Sequence, residues 1–131
     1  MRHAAATLAL LLSAGAAVAR DGVTRLTETN FQDFISTGNV IVAVHGQHDE
    51  PSREYVRTFR AFCAAQQQVR CGALNLDEDY FSGIRRYEVL PLPTTLLFKD
   101  GKWLGPENGI LRDSVAAEDL GQKVEETYGT H

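Results

Sequence analysis

Two cysteines and a short polar run are the residues of this sequence with the most evident chemical potential. Cys63 and Cys71 could bond to each other or act as nucleophiles, and His45, His48, Asp49 and Glu50 offer nitrogen and oxygen ligands of the kind that bind Zn²⁺ or Cu²⁺. The two histidines fall on a predicted strand end and loop, without the i, i+4 spacing of a helical metal motif. The favoured interpretation is a solvated loop with acids at a helix N-terminus, so we predict no metal and no other cofactor.

The N-terminus has the composition of an export signal. A positively charged start at Arg2 leads into an apolar stretch over Ala4–Leu12, and Ala17-Val18-Ala19 follows as a small-x-small cleavage pattern. We therefore predict a signal peptide over 1–19, a single domain over 20–131, and a location in the secretory pathway (secreted, ER lumen or periplasm). A frayed N-terminal helix on a protein that is not exported is the alternative. The stretch is short for a membrane span, and no membrane association is expected once it is removed.

The charge balance argues against two further classes of partner. Acidic residues outnumber basic ones by 17 to 13, which gives a formal net charge of −4. The basic residues are scattered, so the sequence lacks the electrostatic footprint of a nucleic-acid-binding protein. It also lacks a basic amphipathic helix for a membrane surface.

The pattern of apolar residues predicts an α/β domain. The β-branched run over 40–44 is typical of a strand covered on both faces, and Asp100-Gly101 is a hairpin signal. Thr29 or Asn30 could cap the first helix, and Asp113 or Ser114 the last. The predicted order β-α-β-α-β-α-β-β-α implies a mixed central sheet flanked by helices. Its strands are expected at 23–26, 40–44, 69–76, 94–98 and 102–104, and its helices at 31–36, from 51 onward, at 79–87 and after 114.

The sequence resembles the thioredoxin domain family over about residues 23–127. The resemblance is carried by Leu26–Phe31, Val40–Val44, Leu74–Glu78, Tyr87–Val89 and, most specifically, Pro93–Lys102. It implies a thioredoxin-like fold, in which the proline before the fourth strand follows a cis peptide bond. Pro93 is therefore expected to be cis.

The same resemblance implies that the redox motif of the family is lost. Where thioredoxins have Cys-Gly-Pro-Cys, this chain has Asp49-Glu50-Pro51-Ser52, and His48 replaces the tryptophan before the motif. The buried aspartate and lysine that assist the thiols align with Ala43 and Ala73. Exchange between dithiols and disulfides needs a low-pKa thiolate and a resolving thiol, so this motif is not expected to be catalytic.

By analogy with the fold, Cys71 faces the helix that carries Cys63, and the two sulfurs could meet. We predict a disulfide because of the inferred export. The alternative is a pair of separate buried thiols that pack as small apolar side chains.

The sequence is compatible with three functions. The resemblance implies a groove beside the cis-proline, lined here by His48, Pro51, Leu92 and Pro93, which could take an extended or unfolded polypeptide as an added strand. A non-catalytic, chaperone-like binding module is thus the first hypothesis. The second is a thiol–disulfide oxidoreductase that works through Cys63 and Cys71. The third is a secreted scaffold for an unknown protein partner.

Overall fold

A computed structural model describes residues 21–112 and 116–129. It contains six strands, one 3-10 helix and five α-helices. The strands are β1 (Val23–Arg25), β2 (Asn39–His45), β3 (Arg70–Asn75), β4 (Thr94–Lys99), β5 (Lys102–Trp103) and β6 (Ile110–Arg112). The helices are α1 (Glu28–Ile35), α2 (Glu50–Ala65), α3 (Leu76–Asp79), the 3-10 helix (Ser82–Tyr87), α4 (Gly105–Asn108) and α5 (Ala117–Tyr128). The predicted signal peptide lies outside the described residues.

The strands form one mixed sheet in the order β1-β3-β2-β4-β5. β6 also pairs with β4, along a different part of that strand from the part that pairs with β5. β1, β3 and β2 run parallel, whereas β4 is antiparallel to β2, β5 and β6. The predicted mixed sheet flanked by helices is confirmed. Every residue from Val40 to His45 is buried, as the continuous apolar run of β2 predicted.

A hydrophobic core lies on each face of the sheet. On one face, α2 contributes Tyr55 and Phe59, and α5 contributes Leu120 and Val124. On the other, the buried residues come from α1 and the 3-10 helix: Phe31, Ile35, Ile84 and Tyr87. The helices therefore cover β2 on both faces. This packing sets the position of the carboxyl end of β2 relative to the N-terminus of α2.

Several predicted element boundaries were wrong. The first helix is capped by Thr27 rather than Thr29 or Asn30, and the Asn30 side chain accepts the Thr27 N–H in a capping box. The single helix predicted over 79–87 is two short helices. β6 and α4 were not predicted. The expected caps Asp113 and Ser114 lie outside the described residues, and the described part of α5 begins after an N-cap at Ala116.

No helix in the described ranges has the length and apolar character needed to span a membrane.

Candidate functional site

The candidate site lies where β2 ends and α2 begins. Because β2 and β3 are parallel, their carboxyl ends, His45 and Asn75, lie side by side at one edge of the sheet. The loop between His45 and Glu50 meets the start of α3 there. The segment that leads into β4 also reaches this edge, since Val44 pairs with Thr94.

A hydrogen bond between Asp49 and Ser52 caps the start of α2. Asp49 is the N-cap of α2, and its Oδ2 accepts the Ser52 N–H at 2.9 Å. Ser52 is fully buried, and its Oγ accepts the Gly46 N–H at 3.0 Å. Burial acts to raise the pKa of Asp49, but hydrogen bonds from the Ser52 amide and hydroxyl, together with Arg53, outweigh it and lower the pKa. The carboxylate therefore stays charged and satisfies a free N–H of the first helical turn.

Gly46 is the point at which three parts of the site converge. A Cβ placed on Gly46 would lie 2.8 Å from Asp49 Oδ1, 3.3 Å from Asp77 Oδ2 and 3.7 Å from Leu92 Cδ1. Asp77 Oδ2 also accepts the N–H of Gln47 at 2.7 Å. The Asp49 and Asp77 carboxylates and the Leu92 side chain thus surround Gly46. Because glycine has no Cβ, these three side chains can approach its backbone.

His45 is buried and neutral beneath this loop. Its Nδ1 lies 2.8 Å from the carbonyl oxygen of Gly46, and because a carbonyl only accepts, Nδ1 carries the proton in this contact. Desolvation lowers the pKa of His45, with a smaller lowering effect from Arg60, while the Gly46 carbonyl, Asp49 and Asp77 act in the opposite direction. His45 therefore serves as a neutral core side chain at neutral pH.

The other residues of the polar run lie at the surface. His48 and Glu50 are both exposed, and Glu50 pairs with Arg53. Within ranges 21–112 and 116–129, no cluster of three or more histidine, cysteine, aspartate or glutamate side chains is placed to hold a metal ion.

Ala43 and Ala73 pair directly across β2 and β3, and both are buried. On the other side of β2, Ala43 pairs with Thr95, whose hydroxyl hydrogen-bonds to the hydroxyl of Tyr55. Burial raises the pKa of Tyr55, and the Thr95 bond only partly offsets this effect. Ala43, Ala73, Tyr55 and Thr95 are thus neutral in this part of the core, and the two hydroxyls satisfy each other.

The segment before β4 presents a free backbone edge. The peptide bond between Leu92 and Pro93 is cis, as predicted, and so is the one between Leu90 and Pro91. Within the described residues, the backbone N–H and C=O of Leu92 make no hydrogen bond. Leu90 is 68% exposed, its carbonyl accepts Arg112, and Leu92 is half-buried. Of the predicted groove residues, His48 and Pro51 are exposed while Pro93 is buried.

Cys63 and Cys71 form a disulfide, as predicted, and their Cα atoms are 6.3 Å apart. The bond joins the last turns of α2 to the start of β3. At a rise of 1.5 Å per residue, Cys63 lies about 16 Å along α2 from Ser52. Both cysteines are buried, beside an open cavity of about 320 Å³ that is lined by Phe34, Gln66, Val69 and Arg70, among others. The disulfide is therefore remote from the motif positions.

Sequence reasoning missed Gly46 and Asp77 as parts of the site. Asp77 follows β3, and the rule that carboxyl ends of neighbouring parallel strands share one edge could have placed it beside the loop after β2. Gly46 carried no signal, because its role depends on three side chains that are distant in sequence.

The mixed sheet, the two helical layers and the cis-proline beside the start of α2 define a thioredoxin-like fold. The chain is similar in structure to a mutant thioredoxin from Halobacterium salinarum NRC-1, with a TM-score of 0.68 and 20% identity. That match covers 89% of this chain and 98% of the other.

The sequence itself is 33% identical to a thioredoxin of Chlamydia pneumoniae over 76 residues, which are 58% of this chain and 74% of that relative. It is 33% identical to a thioredoxin of Chlamydia caviae over 73 residues, which are 56% and 71% of the two chains. No protein-family model matches. The chain belongs to the thioredoxin family.

Proposed function

We propose that this protein is an exported, non-catalytic member of the thioredoxin family that binds extended polypeptides without forming a covalent bond. The observation that carries the proposal is the cap at the start of α2. Asp49 and Ser52 stand where the family has its thiols, and both are committed to hydrogen bonds that hold the helix N-terminus.

The chemistry of these two groups supports the loss of disulfide exchange. A carboxylate cannot attack a disulfide, and a serine hydroxyl needs an adjacent base to become a nucleophile. The carboxylate beside Ser52 is that of Asp49, whose lowered pKa makes it a weak base. Ser52 is also fully buried, which keeps its hydroxyl away from a substrate.

The free edge at Leu92 supports polypeptide binding. An unpaired N–H and C=O can accept an extended chain as an added strand, with main-chain hydrogen bonds supplying affinity. Leu90 is one of two large apolar side chains that are strongly exposed in the described residues, and it offers apolar contact next to that edge.

Export is the second part of the proposal. It is supported by the signal-like pattern over 1–19 and by a disulfide, which persists most readily in an oxidising compartment. Expression in an exporting host, followed by N-terminal sequencing, tests it. We expect the mature chain to begin near Arg20, and a retained Met1 on intracellular protein would contradict export.

Insulin reduction in the presence of dithiothreitol tests the loss of catalysis. We expect the wild-type protein to match the background rate. The double variant Asp49→Cys/Ser52→Cys restores both thiols on the same scaffold and should exceed the background. Wild-type activity that disappears in Cys63→Ser would instead establish an oxidoreductase that works through Cys63 and Cys71.

Suppression of aggregation tests the binding function, with an unfolded client that contains no cysteine. We expect the wild-type protein to slow light scattering by the client and Leu90→Ser to slow it less. Tyr80→Ser is the matched control, because Tyr80 is 53% exposed but lies on a different loop. No effect of the wild-type protein on the client, together with no binding of peptides, would leave the scaffold hypothesis in place of this one.

A further inference from the structure

We infer that the free edge at Leu92 selects extended segments that carry lysine or arginine beside apolar residues. This inference rests on the proposed polypeptide-binding function and adds the chemical class of the partner. It depends on the two carboxylates that adjoin Leu92 and on the pairing of the other charges nearby.

Asp49 and Asp77 lie close to the side chain of Leu92. One oxygen of each carboxylate and a methyl carbon of Leu92 all lie within 3.7 Å of the Cβ position of Gly46. Both aspartates are exposed. A peptide strand that pairs with the Leu92 backbone therefore passes close to two negative charges.

Neither of these two carboxylates forms a salt bridge in the described part of the chain, whereas the neighbouring acids do. Glu50 pairs with Arg53, Asp79 pairs with Arg25 at 3.0 Å, and Glu78 lies 3.8 Å from the same arginine. Asp49 and Asp77 instead accept hydrogen bonds from backbone N–H groups. The charge that stays without a salt bridge beside Leu92 is thus negative.

Two arginines that contact this region already have partners. Arg53 donates to the carbonyl of His48 at 2.9 Å in addition to its pairing with Glu50. Arg112 donates to the carbonyl of Leu90 and lies 4.0 Å from Glu88. A lysine or arginine of a bound segment would therefore supply the missing positive charge, while its apolar neighbours contact Leu90 and Leu92.

Fluorescence anisotropy with three labelled nonapeptides tests this selectivity. The peptides contain no cysteine, share a central Val-Val pair flanked by glycine and serine, and carry two lysines, two glutamines or two glutamates. Exposed ion pairs contribute modestly, so we expect the lysine peptide to bind about three- to tenfold more tightly than the glutamine peptide in low salt. The glutamate peptide should bind most weakly, and about 0.5 M salt should largely remove the differences, since charges are then screened within a few ångströms.

The variant Asp49→Asn/Asp77→Asn should bind the lysine and glutamine peptides equally, because it removes both charges while asparagine still caps α2. Asp33→Asn, on the exposed surface of α1, is the matched control and should keep the wild-type preference. Equal affinity of the wild-type protein for all three peptides would overturn the inference and leave the binding function standing. Failure of all three peptides to bind would overturn both. The effect of salt on peptide binding by the wild-type protein tests the inference even if a variant does not fold.

Discussion

Reduction of the Cys63–Cys71 bond should destabilise the protein by a calculable amount. The disulfide closes a loop with a sequence separation of 8. In the chain-entropy model, a loop of this length stabilises the folded state by about 2.5 kcal/mol through its effect on the unfolded chain. Reduction is a cleaner perturbation than mutation, because both sulfur atoms stay in the core and continue to pack as small apolar groups.

Urea unfolding with and without dithiothreitol measures this effect. With a typical dependence on denaturant, a loss of about 2.5 kcal/mol lowers the urea midpoint by roughly 1–2 M. The double variant Cys63→Ala/Cys71→Ala is the control, and its midpoint should not respond to reductant. Thiol titration of the unreduced wild-type protein should find no reactive group. Two titratable thiols, or a wild-type midpoint that reductant leaves unchanged, would refute the reasoning.

Two further predictions concern the site. Asp49→Ala should lower the free energy of unfolding by about 1 kcal/mol in urea titrations, and Asp49→Asn by clearly less, because only alanine removes the N-cap acceptor. Equal losses would show that the charge, rather than the cap, is what matters. The free energy of unfolding should also fall as the pH drops below about 6.5, because the unfolded chain then protonates the histidine while the lowered pKa of buried His45 keeps the folded state neutral. His45→Gln should flatten the pH profile below about 6.5, and a slope that persists in this variant would assign it to another group.

The framework of the fold could be predicted because its signals are local. The apolar run of β2 and the Asp100-Gly101 turn each specify a structure within a few residues. By contrast, β6 exists because Ile110 pairs with Leu96 of β4. Tertiary pairing, rather than propensity, determines this part of the fold.

In the first helix, the capping rule predicts the right type of residue but the wrong position. Thr29 and Asn30 are both good capping residues, and either could have begun the helix. The structure uses Thr27, while Asn30 serves as the reciprocal partner in the first turn. When several residues within one turn could cap a helix, tertiary packing determines which of them does so. Here the burial of Leu26 and Phe31 in the core determines the N-cap.

The contacts within the candidate site could not be predicted from the sequence. That Asp49 and Ser52 replace the motif cysteines is what the resemblance implies. Their hydrogen bonds to each other and to Gly46 require the loop geometry, which no sequence pattern encodes. Asp77 likewise joins the site only because β3 lies next to β2.

Helix α2 is held to the sheet near both of its ends, by the Ser52–Gly46 hydrogen bond at its start and by the Cys63–Cys71 bond near its finish. Local opening of a protein tends to release segments with weaker attachments first. The start of α2, together with the loop beside Leu92, should thus persist through such fluctuations. A partner that docks there meets a surface that is already ordered, so binding costs little conformational entropy on the protein's side. A preorganised surface of this kind can retain a ligand for a useful time without the covalent bond that a thiol would supply.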